Sequence, residues 1–376
     1  MTDTPQIPAE INPVEPPMQF DSPEFAFDLE IDRFLMAPQA RQAFGVTGNG
    51  LTVAVLDTGL NPIHIDFAGR VVAQRNFTPD NNNNADDATD GNGHGTNVGG
   101  IIVANGDHKG IAPAANIIPL KVLRNTSGGS FVWIEQALDW VIENRVRYNI
   151  SAVCMSLGDG QNYTAEDGIP YAIETMQTKI RTLKAAQVAV VIAAGNDFFP
   201  HHSQQGMSYP AILRECVSVG AVYDADEGGF QYHSGAIAYS SKAGQITPFS
   251  QRLHPTKNSD TYTDIFAPGA PVTSSGINGP HGESIQHGTS QATPVIVGVI
   301  LLMQEFYRRA TGQLPEVDDL VTWLRRGGAP IYDGDDEHDN VQHTHLEYIR
   351  VDALSAVDAV RRHLQKQLLE KSIATS

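Results

Sequence analysis

"LTVAVLDTG", residues 51–59, is the stretch on which the fold turns. Leu51 to Leu56 are apolar or β-branched, the composition of a buried strand, and Asp-Thr-Gly closes it. Outward from this strand the chain alternates. "RVVAQRNF" is a second, shorter strand candidate, and the loop "TPDNNNNADDATDGNG" leads to a helix in "HGTNVGGIIVAN". "NIIPLKVL", "ISAVCMSLG", "VAVVIAAGN" and "CVSVGAV" read as strands; "FVWIEQALDWVIENRVRYN" and "PYAIETMQTKIRTLKAAQ" have helical spacing. Such alternation predicts right-handed crossovers and a mostly parallel central sheet with helices on both faces, an α/β fold. A long helix from Ser290 to about Ala310 follows, then a shorter one in "PEVDDLVTWLRR". A polar loop, "YDGDDEHDNVQHTH", and a last helix in "DALSAVDAVRRHLQKQLLEK" complete the chain.

Of the 376 residues, 41% are hydrophobic and 18% charged, enough chain and apolar content for a large core. Six prolines among the first 23 residues mark 1–40 as an N-terminal extension, extended or disordered in part. No internal repeat and no second core-sized unit is visible, so one domain over 41–362 with a helical tail at 363–376 is expected. The net charge of −18, from 43 acidic and 25 basic residues without a Lys/Arg block, argues against nucleic acid and anionic membranes as partners. The N-terminus lacks a basic segment and an apolar core, and no uncharged apolar run reaches the ~20 residues of a membrane span. A soluble, cytoplasmic protein is the expectation. Cys154 and Cys216 lie in apolar runs and are expected as buried free thiols rather than a disulfide.

Three residues at element ends carry the chemistry. Taken singly, each has an ordinary reading: Ser290 as a helix N-cap, Asp57 as a turn former, His94 as a structural histidine. Together they make a known kind of device. A serine hydroxyl needs an adjacent base to become a nucleophile, histidine has the pKa for that base, and an aspartate on its other nitrogen fixes the tautomer.

The blocks "VAVLDTGLNPIHIDF", "GNGHGTNVGGII", "SLG", "AAGN" and "GTSQATP" resemble, in order, the signature blocks of the subtilisin-like serine proteases, over residues 40 to 360. The resemblance is to the intracellular branch. It implies a three-layer subtilisin-like fold and a serine endopeptidase, with protein or peptide substrates. It also implies roles: Asp57 as the orienting aspartate, His94 as the general base, Ser290 as the nucleophile and Asn196 as the oxyanion-hole amide. Ser156, Leu157 and Gly158 resemble the family's extended substrate-binding segment, and Ser208 in "GMSYPA" falls where many relatives have a pocket glycine. Asn97, Gly99, Gln291 and Val295 depart from the usual residues of their blocks and leave all three triad positions intact.

Only 56 residues precede Asp57, too few for the folding propeptide of extracellular relatives. "INPVEPPMQF" reads either as a segment lying across the cleft, where proline bonds resist cleavage, or as a plain disordered tail. The chemistry requires no cofactor. Structural Ca²⁺ is considered for Asp80, Asp86, Asp87 and Asp90, hard oxygen ligands on one loop. Asp66 matches a calcium ligand position of the family, but the loop that supplies its partners is short here. His338, His343 and His345, with Asp333, Asp335 and Asp336, read as a solvated loop rather than a zinc site. The alternative to the enzyme is a catalytically inactive subtilase-fold binding or scaffold protein; a third reading is a protease dedicated to one target.

Overall fold

Strand β1 (Thr52–Asp57) is buried at every position. Its side chains alternate between two cores, Val53 and Val55 on one face, Ala54 and Leu56 on the other. An unbroken apolar run requires such two-sided burial. This is a computed structural model, and it describes residues 27–28, 31–126, 128–170, 173–334 and 338–374. Eight more strands complete the sheet: β2 (Arg75–Asn76), β3 (Asn116–Lys121), β4 (Ile150–Met155), β5 (Ala189–Ala193), β6 (Val217–Val222), β7 (Ile265–Pro268), β8 (Ala329–Tyr332) and β9 (Glu347–Arg350). Their spatial order is β8-β9-β7-β6-β5-β4-β1-β3-β2. All neighbours are parallel except β8 against β9.

Helices α1 (Ile31–Leu35), α2 (Ala37–Phe44), α3 (His94–Val103), α6 (Thr289–Thr311), α7 (Val317–Gly327) and α8 (Ala353–Ala374) contribute to the core on one face of the sheet. Helices α4 (Phe131–Tyr148) and α5 (Glu174–Ala185) cover the other. The result is the expected three-layer α/β fold. Helix α6 is buried from Thr289 through Glu305, because it runs through the core rather than over it.

Several expectations shift. Ile31, Leu35, Ala37 and Ala40 are core residues, and Arg41 pairs with buried Asp32 at 3.0 Å, so a boundary at residue 40 falls inside a packed helix. Helix α8 is likewise continuous across residue 363. The segment "INPVEPPMQF" lies outside the described residues. Phe27–Asp28 pairs in parallel with His108–Lys109. Of "RVVAQRNF" only Arg75–Asn76 joins the sheet as a strand. Strands β7, β8 and β9, and the hairpin Val272–Ser275 with Glu283–Gln286, have only four residues per strand, too few for a periodic signal. Cys154 and Cys216 are free and buried.

Candidate active site

Strands β5, β4 and β1 lie side by side, and the segments leaving their carboxyl ends carry Asn196, Ser156 and Asp57. In parallel sheets this edge is where sites form.

Asp57 is the last residue of β1 and is fully buried. Its Oδ1 accepts from the Thr58 backbone N–H at 2.7 Å and from His94 Nδ1–H, also at 2.7 Å. The carboxylate can only accept, so the proton sits on His94 Nδ1, and Nε2 is left buried with no partner. Two glycines permit this approach. A Cβ on Gly95 would stand 2.3 Å from the Gly59 carbonyl, and one on Gly59, at φ +116°, would stand 2.3 Å from the Ala88 carbonyl. Helix α3 can therefore start against the end of β1. Burial opposes a charged His94, but the Asp57 carboxylate, with Asp90 adding to it, outweighs burial and raises the imidazole above its ordinary value of 6.5.

Ser290 is the second residue of α6 and is buried. Pro294 has no N–H, so the Ser290 carbonyl lacks its helical partner. The Ser156 hydroxyl replaces that donor at 2.7 Å. The side chain of Ser156 thus pins the backbone of Ser290. The Ser290 hydroxyl donates to the Ser156 carbonyl at 3.4 Å, and no hydrogen bond joins it to His94 among the described residues. The two helix starts are nevertheless tied. Gln286 Nε2 donates to the Gly93 carbonyl at 3.3 Å, while its Oε1 accepts from Gln291 Nε2 at 3.1 Å. One amide thus bridges the residues flanking His94 and Ser290. Gln291 also donates to Asn97 Oδ1 at 3.3 Å, so two of the departures from the family pattern form one hydrogen-bonded unit.

Asn196 follows β5. Its Oδ1 accepts from the Thr289 N–H at 2.8 Å and the Thr289 hydroxyl at 2.9 Å. With the carbonyl end held, the amide N–H₂ is the free end. A cleft opens beside it, lined in part by Leu157, Gly158, Ser208, Asn196, Thr289 and Ser290. Leu157, Gly158 and Ser208 thus come together; Ser208 is buried, with its hydroxyl unpartnered.

The four loop aspartates, among the described residues, form no group of three whose ligand atoms lie within 4.8 Å of one another. Asp80 accepts from the Asn125 N–H at 2.6 Å and faces Lys121 Nζ at 3.6 Å. Asp86 pairs with Arg75 at 2.9 Å on the surface, and Asp87 accepts from the Thr89 N–H at 2.9 Å. Asp90 spends both oxygens on the start of α3: Oδ1 accepts from the Asn92 and Gly93 N–H groups, Oδ2 from the N–H and hydroxyl of Thr96. Each carboxylate satisfies local backbone or a neighbouring cation. Lys121, unforeseen in the sequence, is buried and donates to the carbonyls of Thr58 and Leu123 and to Asn125, bracing the turn that follows Asp57. In the C-terminal loop, Asp333 is not solvated. It is buried against Arg252, with Nε–Oδ2 at 2.9 Å and Nη2–Oδ1 at 3.1 Å, and faces His343 at 3.0 Å. Asp335 and Asp336 lie outside the described residues.

A buried acid–imidazole pair at the carboxyl edge of a parallel sheet and a serine at a helix start are the side-chain types that hydrolases of the serine class use. The sequence profile of the subtilase family matches residues 48–322, and the chain belongs to that family. It is a subtilisin-like serine endopeptidase. It is 31% identical over 293 residues to the "Major intracellular serine protease" of Bacillus subtilis (strain 168), covering 77% of this chain and 79% of that protein. It is 30% identical over 280 residues to the "Intracellular serine protease" of Paenibacillus polymyxa, 73% of each. To the "Subtilisin-like serine protease pepC" of Aspergillus niger it is 29% identical over 266 residues, 67% of this chain and 41% of that one.

Proposed function

We propose that Ser290, His94 and Asp57 act as a triad and that peptide hydrolysis passes through an acyl-enzyme on Ser290. The observation that carries this reading is the buried His94–Asp57 pair, with the unpartnered Nε2 as the one basic position left to the imidazole. The Ser290 hydroxyl leaves its long bond to Ser156 by rotation about χ1 and gives its proton to Nε2 as Oγ attacks the substrate carbonyl carbon. The tetrahedral oxyanion accepts from Asn196 Nδ2–H and the Ser290 N–H, at the positive end of α6. Collapse breaks the C–N bond, and His94 returns the proton to the departing amine. Water, deprotonated by the same Nε2, then attacks the ester and releases the acid and Ser290. All of these groups belong to the chain itself.

The substrate is an extended peptide that adds along Leu157–Gly158 as a further strand, read largely through its backbone. Its side chain before the scissile bond enters the cleft beside Ser208. The names of the two bacterial relatives support a cytoplasmic setting for this activity. A fluorophosphonate probe tests the reading: labelling of the wild-type chain and loss of labelling in Ser290→Ala are expected. A folded wild-type chain that resists the probe and cleaves no peptide would return the fold to the role of an inactive binding module.

A further inference from the structure

We propose that His64, Asp66 and His108 form a binding site for Zn²⁺, a buried fastener distinct from the catalytic residues. All three are buried, and their ligand atoms lie within 4.8 Å of one another. Asp66 Oδ2 is 2.7 Å from His108 Nδ1 and 3.4 Å from His64 Nδ1. Two imidazoles and one carboxylate are a donor set for a transition ion rather than for Ca²⁺, which takes oxygen.

The hydrogen bonds around His64 carry the argument. The Asp66 backbone N–H donates to His64 Nδ1 at 3.1 Å, so Nδ1 presents a lone pair. His64 Nε2–H donates to the Gly282 carbonyl at 2.8 Å, which accounts for the ring's proton. Asp66 Oδ2 stands 3.4 Å from the same Nδ1, so an ion that took this lone pair in place of the Asp66 N–H would meet the carboxylate as well. His108 is arranged in the same sense: Nδ1 points to Asp66, and Nε2 is buried without a hydrogen bond, 3.3 Å from Glu283 Oε1. Both rings thus turn Nδ1 inward and have an oxygen acceptor outside, the outer-shell arrangement that orients metal-bound histidines. The Ser275 hydroxyl donates to Asp66 Oδ2 at 2.6 Å and adds a further oxygen beside the cluster.

Zn²⁺ would take the Nδ1 position of His108 that now faces Asp66, with the ring proton on Nε2, facing Glu283. The position gives the site a purpose. Asp66 and His64 follow Asp57 on the strand-to-helix connection, His108 follows α3, and Gly282, Glu283 and Ser275 belong to the hairpin leading to Ser290. An ion here joins the three segments that carry the proposed triad.

The test uses the full chain, stripped with a chelator and titrated with Co²⁺ and then Zn²⁺. We expect one ion per chain, a Co²⁺ ligand-field band abolished by Zn²⁺, and a higher Tm with Zn²⁺ but not with Ca²⁺. His64→Gln and His108→Gln should each lose the band while keeping native circular dichroism; should one misfold, the other decides. Binding should persist in a His338→Gln/His343→Gln/His345→Gln variant and in His94→Gln. Absence of a band and of a Tm shift in the wild-type chain would overturn the assignment, as would a band that survives His64→Gln and His108→Gln. None of these readouts depends on proteolysis, so the zinc site and the proposed mechanism can fail separately.

Discussion

Replacing Asp57 by Asn tests how the acid works. In the structure one oxygen, Oδ1, accepts from both Thr58 N–H and His94 Nδ1–H, while Oδ2 is buried without a partner. An asparagine that kept its NH₂ toward His94 would set that group against the Thr58 N–H as well. Its carbonyl oxygen therefore takes the Oδ1 position, and the Nδ1–H tautomer of His94 survives. What is lost is the charge. Two unit charges ~4 Å apart at an effective dielectric of ~20 interact by ~4 kcal/mol. That interaction stabilises the imidazolium formed as Ser290 attacks, so kcat/KM should fall by ~10³. The pH profile supplies the second readout. His94 must be neutral to act as base, and its raised pKa places the acid limb of the wild-type profile above pH 6.5. Asp57→Asn should move that limb downward. Peptide hydrolysis across pH 5 to 9 measures both at once, a range chosen to bracket the ordinary imidazole value of about 6.5. A variant within tenfold of wild type, or a limb that stays in place, would refute the reasoning. The same coupling has a stability sign: the native chain holds the His94 proton more tightly than the unfolded chain. The pair's contribution is therefore full below pH 6.5 and is lost as pH rises through the raised native pKa.

Three further outcomes are expected. Asn196→Ala should lower kcat by ~10²–10³ with little change in KM, the range established on subtilisin, a relative of this chain; an equal fall in binding of a substrate-like inhibitor would contradict an oxyanion role. Ser156→Ala leaves the Ser290 carbonyl without a donor, so denaturant unfolding should show a loss of ~1–3 kcal/mol, and slower fluorophosphonate labelling should accompany it. Burial would push the Asp333 carboxyl up, but Arg252 and the bonds from His343 and Thr344 hold it well below the usual carboxylate range. Asp333→Ala strands a buried guanidinium and should cost ~3–5 kcal/mol, whereas Arg252→Met/Asp333→Leu should cost less than that single change; a double variant less stable than Asp333→Ala would count against the account.

The residues at strand and helix ends were legible in the sequence because small neighbours and apolar runs frame them. Asp57 closes "LTVAVL", His94 opens a helix between glycines, and Asn196 ends "VAVVIAAG". The longer strands and helices followed from periodicity. Contacts between distant segments were not legible. Ser156 stands in the "SLG" block, and only the missing N–H of Pro294, brought alongside by α6, makes its hydroxyl a brace for Ser290. The aspartates of "DNNNNADDATDG" look alike in sequence, but Asp90 caps α3 and Asp80 faces Lys121. Asp333 sits in a run of acidic residues and histidines, yet it is buried because Arg252, eighty-one positions earlier, reaches it through the core. The β7–β9 strands are too short to show a period, and neighbouring strands rather than propensity decide them.

The most direct measurement is the mass of a trapped acyl-enzyme. The chain is mixed with an activated ester substrate, quenched in acid and mapped by peptide mass spectrometry. The account predicts one acyl group per chain, carried on the peptide containing Ser290 and absent in Ser290→Ala. Turnover of the ester without any adduct, or an adduct on another residue that persists in Ser290→Ala, would contradict it.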